Sequence, residues 1–242
     1  MPVARELIAE TQAFADAVDR LNFSEPVATV YNPLQYAWAL HRAYLERYAA
    51  TTKRVIFLGM NPGPFGMVQT GIPFGEVAAV KNWMQLGGEV KRPCPEHPKR
   101  PIEGLDCQRS EVSGRRLWGL FADRFGTPEA FFKSHFVVNY CPLAFLEASG
   151  RNRTPDKLPA AELNPLLAAC DAFLAKVVDI LQPEWVVGVG GFAEQRATLV
   201  LGDRKVRITR ILHPSPASPA ANRDWSGQAT RAMEKIGLWD LS

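Results

Sequence analysis

The chain has 242 residues, of which 47% are apolar and 22% charged, with a formal net charge of +3. That is enough apolar material for one substantial core, and no stretch reaches the run of about 18 apolar residues that a membrane-spanning helix needs. So mild a charge gives no whole-molecule field that by itself announces a nucleic-acid partner, and local clusters of cations say more.

Met1-Pro2-Val3-Ala4-Arg5-Glu6 has neither the basic start nor the apolar core of a secretory signal, so an intracellular protein is expected, in a bacterial cytoplasm or nucleoid or a eukaryotic nucleus. Residues 5–21 read as a helix, and Leu34, Trp38, Leu45 and Tyr48 recur at helical spacing after Asn32-Pro33. The apolar run Val55-Ile56-Phe57-Leu58 predicts a first strand at 54–58. Residues 91–106 are proline-rich and irregular, and an ordered surface loop is expected there. A second strand follows at 136–139. Leu163, Leu166, Leu167, Cys170, Leu174, Val177, Val178 and Leu181 then mark one face of a helix that stops at Gln182-Pro183. A third strand at 185–189 runs into Gly190-Gly191, residues 192–201 read as a crossover helix closed by Gly202, and 206–212 supply a fourth strand. Strands alternating with helices imply parallel pairing through right-handed crossovers. The expected fold class is α/β: a three-layer α/β/α domain with a central, mainly parallel four-stranded sheet, occupying 1–242 as a single domain.

Two loops carry the chemistry. After the first strand comes Gly59-Met60-Asn61-Pro62-Gly63-Pro64-Phe65-Gly66-Met67, too rich in Gly and Pro to be helical, which sets Asn61 at the carboxyl edge of the sheet, where open α/β sheets bind ligands. Its glycines suit close backbone approach or positive φ, and its prolines stiffen it. Taken alone, this punctuation also fits a plain strand-to-helix connection. The fourth strand ends in the same manner, in His213-Pro214-Ser215-Pro216-Ala217-Ser218-Pro219-Ala220-Ala221-Asn222. A lone histidine is more often structural than functional, but His213 stands at a strand end as Asn61 does.

Cys94, Cys107, Cys141 and Cys170 form no CxxC pair, and reduced thiols are the default. Cys94, His97 and Cys107 lack a fourth partner at zinc spacing. Lys91, Arg92, Lys99, Arg100, Arg109, Arg115 and Arg116 crowd one segment, and Arg196, Arg204, Lys205, Arg207 and Arg210 another. Such runs are usually a solvated face, and only cations near the two loops are candidates for phosphate contact.

Together with Gln69-Thr70-Gly71-Ile72-Pro73-Phe74-Gly75-Glu76-Val77, Ser110-Glu111-Val112-Ser113-Gly114 and Asn139-Tyr140-Cys141-Pro142-Leu143, the two loops resemble the uracil-DNA glycosylase superfamily, specifically its single-strand-selective monofunctional branch. The motifs spread in this order over most of the chain. The resemblance implies a monomeric DNA-repair enzyme that flips uracil or an oxidised uracil out of single- or double-stranded DNA and hydrolyses the N-glycosidic bond. It implies no cofactor and no metal. Some relatives hold an iron–sulfur cluster on cysteines near the chain ends, whereas these four sit centrally.

In such a reaction the sugar gains oxocarbenium character while the leaving base gathers negative charge on O2. The resemblance assigns His213 as the donor to O2 and Asn61 as the group that positions water. An amide cannot deprotonate water, so the route must be strongly dissociative. Phe74 is expected to stack on the base and Asn139 to pair with its O4 and N3–H, although a core Phe and a helix N-cap Asn are the bland alternatives. Gly63 leaves room for a 5-substituent such as that of 5-hydroxymethyluracil, and Met60 lines the same pocket. The segment from Pro214 through Ser215, Pro216, Ala217, Ser218 and Pro219 to Asn222 corresponds to the wedge that fills the gap left by the base. Here Ala217 replaces an arginine found in the vertebrate pattern, and Arg223 is a partial substitute. No lysine adjoins either motif, so no β-lyase step is expected.

Two rival readings start from the same residues. A non-catalytic binder of damaged or single-stranded DNA would keep the pocket without the reaction, but would have no need of His213. A nucleotide-binding α/β protein is disfavoured because neither glycine-rich phosphate motif is present and Pro62 and Pro64 lack amide donors.

Overall fold

The computed structural model describes residues 2–240. Its strands are β1 (Val27–Tyr31), β2 (Val55–Gly59), β3 (His135–Asn139), β4 (Ala144–Glu147), β5 (Asn152–Arg153), β6 (Trp185–Val189) and β7 (Arg207–Ile211). The longer helices are α1 (Pro2–Asp19), α2 (Trp38–Tyr48), α3 (Val112–Phe125), α4 (Ala160–Leu181), α5 (Gly191–Leu201) and α6 (Pro219–Lys235).

The main sheet has the order β3-β2-β6-β7, and every pair in it is parallel. All residues of β2, β3 and β6 are buried, as continuous apolar runs require when helices cover both faces. Phe57 packs on Phe121 of α3 and on Trp239, while Gly188, whose partner Leu58 points the opposite way from Phe57, lies against Glu194 of α5. The sheet therefore lies between two helical layers. Edge strand β7 exposes Arg207 and Arg210, half-buries Ile208 and Thr209 and buries Ile211.

The four strands of the main sheet stand where the sequence predicts them, within a residue at each end. A second sheet was not expected: β1, β4 and β5 form a small antiparallel sheet of three strands. Residues 91–106 fold over it, and they are not a plain surface loop. His97 and Ile102 are buried, and the Tyr31 hydroxyl donates to Arg100 O while accepting from His97 N. Gly202 does not close α5 in the left-handed conformation; its φ and ψ of −56° and −28° are right-handed. No helix among the described residues is long and apolar enough to cross a membrane.

Candidate active site

At the carboxyl edge of the sheet, Gly59 and Asn139 are register partners, and the ladder continues past the strands through Tyr140 N–H to Gly59 O and Cys141 N–H to Met60 O. The first loop is thereby tied to the end of β3. A Cβ on Gly59 would lie 2.2 Å from Asn139 Oδ1 and 2.5 Å from the Phe74 ring, so only glycine allows these side chains to meet over the strand end. Phe74 itself holds a φ of +54°, an uncommon conformation for a bulky residue and a form of strain that collects at functional sites.

Loop one is braced from several sides. Asn61 Nδ2 donates to Leu143 O at 3.4 Å, which leaves its Oδ1 as the group able to accept from a water. Asn152 Nδ2 donates to Pro62 O, and Gln69 Nε2 to Pro64 O. Phe65 N–H donates to Glu111 Oε2, and the Phe65 ring carries the Arg109 guanidinium 3.9 Å from its centre.

Asn139 Nδ2 donates to Met67 Sδ at 3.1 Å, a weak acceptor, and its buried Oδ1 has no partner among the described residues. An acceptor left unpaired in the interior is costly unless water or a ligand meets it, and this one faces the cavity. The neighbouring Tyr140 hydroxyl donates to Asp171 Oδ1 and accepts from Arg196 Nε, and Arg196 pairs with Asp171. This network fixes the backbone that carries Asn139.

His213 follows β7 and sits 6.1 Å from Phe74, ring centre to ring centre. Its Nδ1 accepts from Ser215 N–H at 3.1 Å, which forces the proton of the neutral ring onto Nε2 and makes that atom a donor. Burial lowers the pKa of the ring and favours this neutral form.

Met60, Asn61, Gly63, Phe74, Asn139, His213 and Ser215, all predicted from sequence, line one cavity of about 360 Å³. The rest of the predicted wedge differs from expectation. Only residues 214–218 form a loop; Pro219 opens α6, because Ser218 Oγ accepts from Ala221 N and proline suits a first helical turn. Pro214 is buried, Pro216 and Ala217 form the exposed tip, and Arg223 is exposed on the helix. Arg116 of α3 donates to Pro214 O at 3.1 Å and Asn222 Oδ1 at 2.8 Å, and so holds the base of this loop.

Glu111, Ser113, Asn152 and Thr154 also line the cavity and had no predicted role. Glu111 and Ser113 lie in a stretch that carried the resemblance; Asn152 and Thr154 arrive with the unforeseen small sheet and had no local signal. Of the supposed partial zinc set, Cys94 is exposed, and the His97 ring is occupied on both sides by Lys99 N and Glu147 O. No cluster of three possible metal ligands occurs among the described residues.

The chain belongs to the uracil DNA glycosylase superfamily, whose family model matches residues 46–235. Membership makes it a DNA glycosylase, a hydrolase of N-glycosyl bonds. Its more particular likeness is to the single-strand selective monofunctional uracil DNA glycosylase of Bos taurus, 50% identical over 241 residues that cover 99% of this chain and 89% of that protein. The protein of the same name from Rattus norvegicus is 49% identical, over 99% of this chain and 88% of its own. Among solved structures, wild-type SMUG2 of Pedobacter heparinus superposes with a TM-score of 0.65 at 19% identity, covering 95% of this chain and 99% of that one, a likeness of fold.

Proposed function

We propose that this enzyme releases uracil and oxidised uracils, 5-hydroxymethyluracil among them, from single- and double-stranded DNA, leaving an abasic site without a lyase step. The observation that carries the reading is the unpaired, buried Asn139 Oδ1 in a cavity shared with Asn61, Phe74 and His213. That oxygen suits the N3–H of a flipped pyrimidine, with Nδ2 leaving the weak Met67 acceptor for O4. Phe74 stacks on the base. As the bond to the sugar lengthens, the Nε2–H of His213 meets the negative charge growing on O2, and a preorganised donor of this kind lowers a barrier by ~3–4 kcal/mol. Asn61 Oδ1 holds the water that captures the oxocarbenium late in the reaction. No lysine lines the cavity among the described residues, which supports a hydrolytic route without a Schiff base. Residues 1–242 act as one domain and as a monomer, within the cell, and the Pro216-Ala217 tip enters the gap left by the base.

Oligonucleotides carrying one uracil or one 5-hydroxymethyluracil, incubated in chelator, test this reading. Alkali-labile sites at both positions, with the strand intact before alkali, are expected. Retarded but unmodified DNA would favour the binding-only alternative, and strand breaks before alkali would point to a lyase.

A further inference from the structure

We propose that Glu111 determines specificity at the 5-position: its carboxylate faces C5 of the bound pyrimidine and selects substituents that offer a hydrogen-bond donor. The inference rests on the proposed function above. A Cβ on Gly63 would lie 2.5 Å from Glu111 Oε2 and 2.8 Å from its Cδ, so the carboxylate fills the space that a larger side chain at 63 would take. The group is held there by Phe65 N–H, which donates to Oε2 at 3.2 Å. Among the described residues that line the cavity it is the only acid. Burial pushes its carboxyl pKa up, in keeping with a group withdrawn from water.

Elimination sets its orientation toward the base. An ionised carboxylate accepts hydrogen bonds and cannot donate them. The carbonyls O2 and O4 would repel it, and the one ring donor, N3–H, is met by Asn139. The C5 side remains. A 5-hydroxymethyl group offers its O–H to the carboxylate there, in a charge-assisted bond. The methyl of thymine offers no donor and would displace water from the half-buried carboxylate without replacing the hydrogen bond lost, a costly arrangement. Uracil leaves the position open. Discrimination at C5 is thus made by Glu111, a residue distant in sequence from the loop glycine that makes room for it.

The test compares kcat/KM for uracil, 5-hydroxymethyluracil and thymine in otherwise identical DNA, using the full chain and Glu111→Leu. The ratio of 5-hydroxymethyluracil to uracil is expected to fall about tenfold or more, with the thymine to uracil ratio rising. Uracil release in the same samples reports that the variant folds. If Glu111→Leu releases no base, Glu111→Gln provides the second arm: its amide oxygen keeps the Phe65 bond and its NH₂ faces the base. The ratio of 5-formyluracil to 5-hydroxymethyluracil is then expected to rise about tenfold over wild type. Unchanged ratios, or loss of uracil release in both variants, would overturn the proposal. A wild-type protein that releases no base would instead contradict the proposed function.

Discussion

The two loops at the carboxyl edge of the sheet are built to different plans. Loop one is clamped along its length by Leu143, Asn152, Gln69 and Glu111, and its reading groups meet across a glycine. Loop two is held from beneath, by Arg116, the cap of α6 and Asn222 Nδ2, which donates to Pro216 O, while the Pro216 and Ala217 side chains of its tip stand in solvent. A pocket that must match a nucleobase gains from rigid walls. The tip proposed to enter DNA has to stay uncovered, and its prolines would limit the entropy lost on insertion. Damage to the groups of loop one that meet the base or the water should therefore abolish recognition and chemistry, loss of a single brace such as the Phe65–Glu111 bond should be tolerated, and damage at the base of loop two should weaken engagement with duplex.

The largest effect is expected from Gly59→Ala. Its methyl would overlap both Asn139 Oδ1 and the Phe74 ring, and driving two reading groups out of position should lower kcat/KM about a thousandfold. Single-turnover base release measures it, alongside a melting curve. Next is His213→Ala, for which a loss of ~3–4 kcal/mol of transition-state stabilisation should appear in kcat with little change in KM. The same histidine predicts an acid limb: a proton on Nδ1 ends its bond with Ser215 N–H, so activity should decline as pH falls below the ordinary imidazole range, through the lowered pKa of the folded protein.

A third prediction concerns stability beneath loop one. His41 hydrogen-bonds Gly71 O, and burial lowers its pKa to about 4. Unfolded, the same side chain titrates near 6.5, so between these values the unfolded chain binds the extra proton. Stability present above pH ~6.5 is then lost as pH falls through about 4, to the extent of about 3 kcal/mol. Denaturant melts at several pH values should show that dependence, weakened in His41→Gln. The smallest effect is expected from Arg116→Ala, at about 1 kcal/mol. Because its contacts brace loop two, the loss should raise KM for double-stranded DNA more than for single-stranded DNA, as titration of both substrates would reveal.

The same contrast governs what the sequence makes legible. β2, β3 and β6 are unbroken apolar runs because helices cover both faces, and a pattern of that kind is local. The small sheet is not local: β1 pairs with β4 more than a hundred residues away, and β5 has only two residues. With it went Asn152 and Thr154. Asn61, Asn139 and His213 are legible because each stands just past or at a strand end. Glu111 is not, since the role proposed for it depends on its approach to Gly63, which only the fold creates. The start of α6 was available in Ser218-Pro219, a cap followed by proline, yet the family likeness drew the loop out to Asn222.

The most direct test of the account compares wild type with Asn61→Ala on a uracil-containing oligonucleotide, with binding and base release measured in parallel. The account predicts binding close to wild type and base release slowed by about a hundredfold, since Asn61 acts on the water and not on the base. Release at the wild-type rate by Asn61→Ala would contradict it, and would remove loop one from the chemistry.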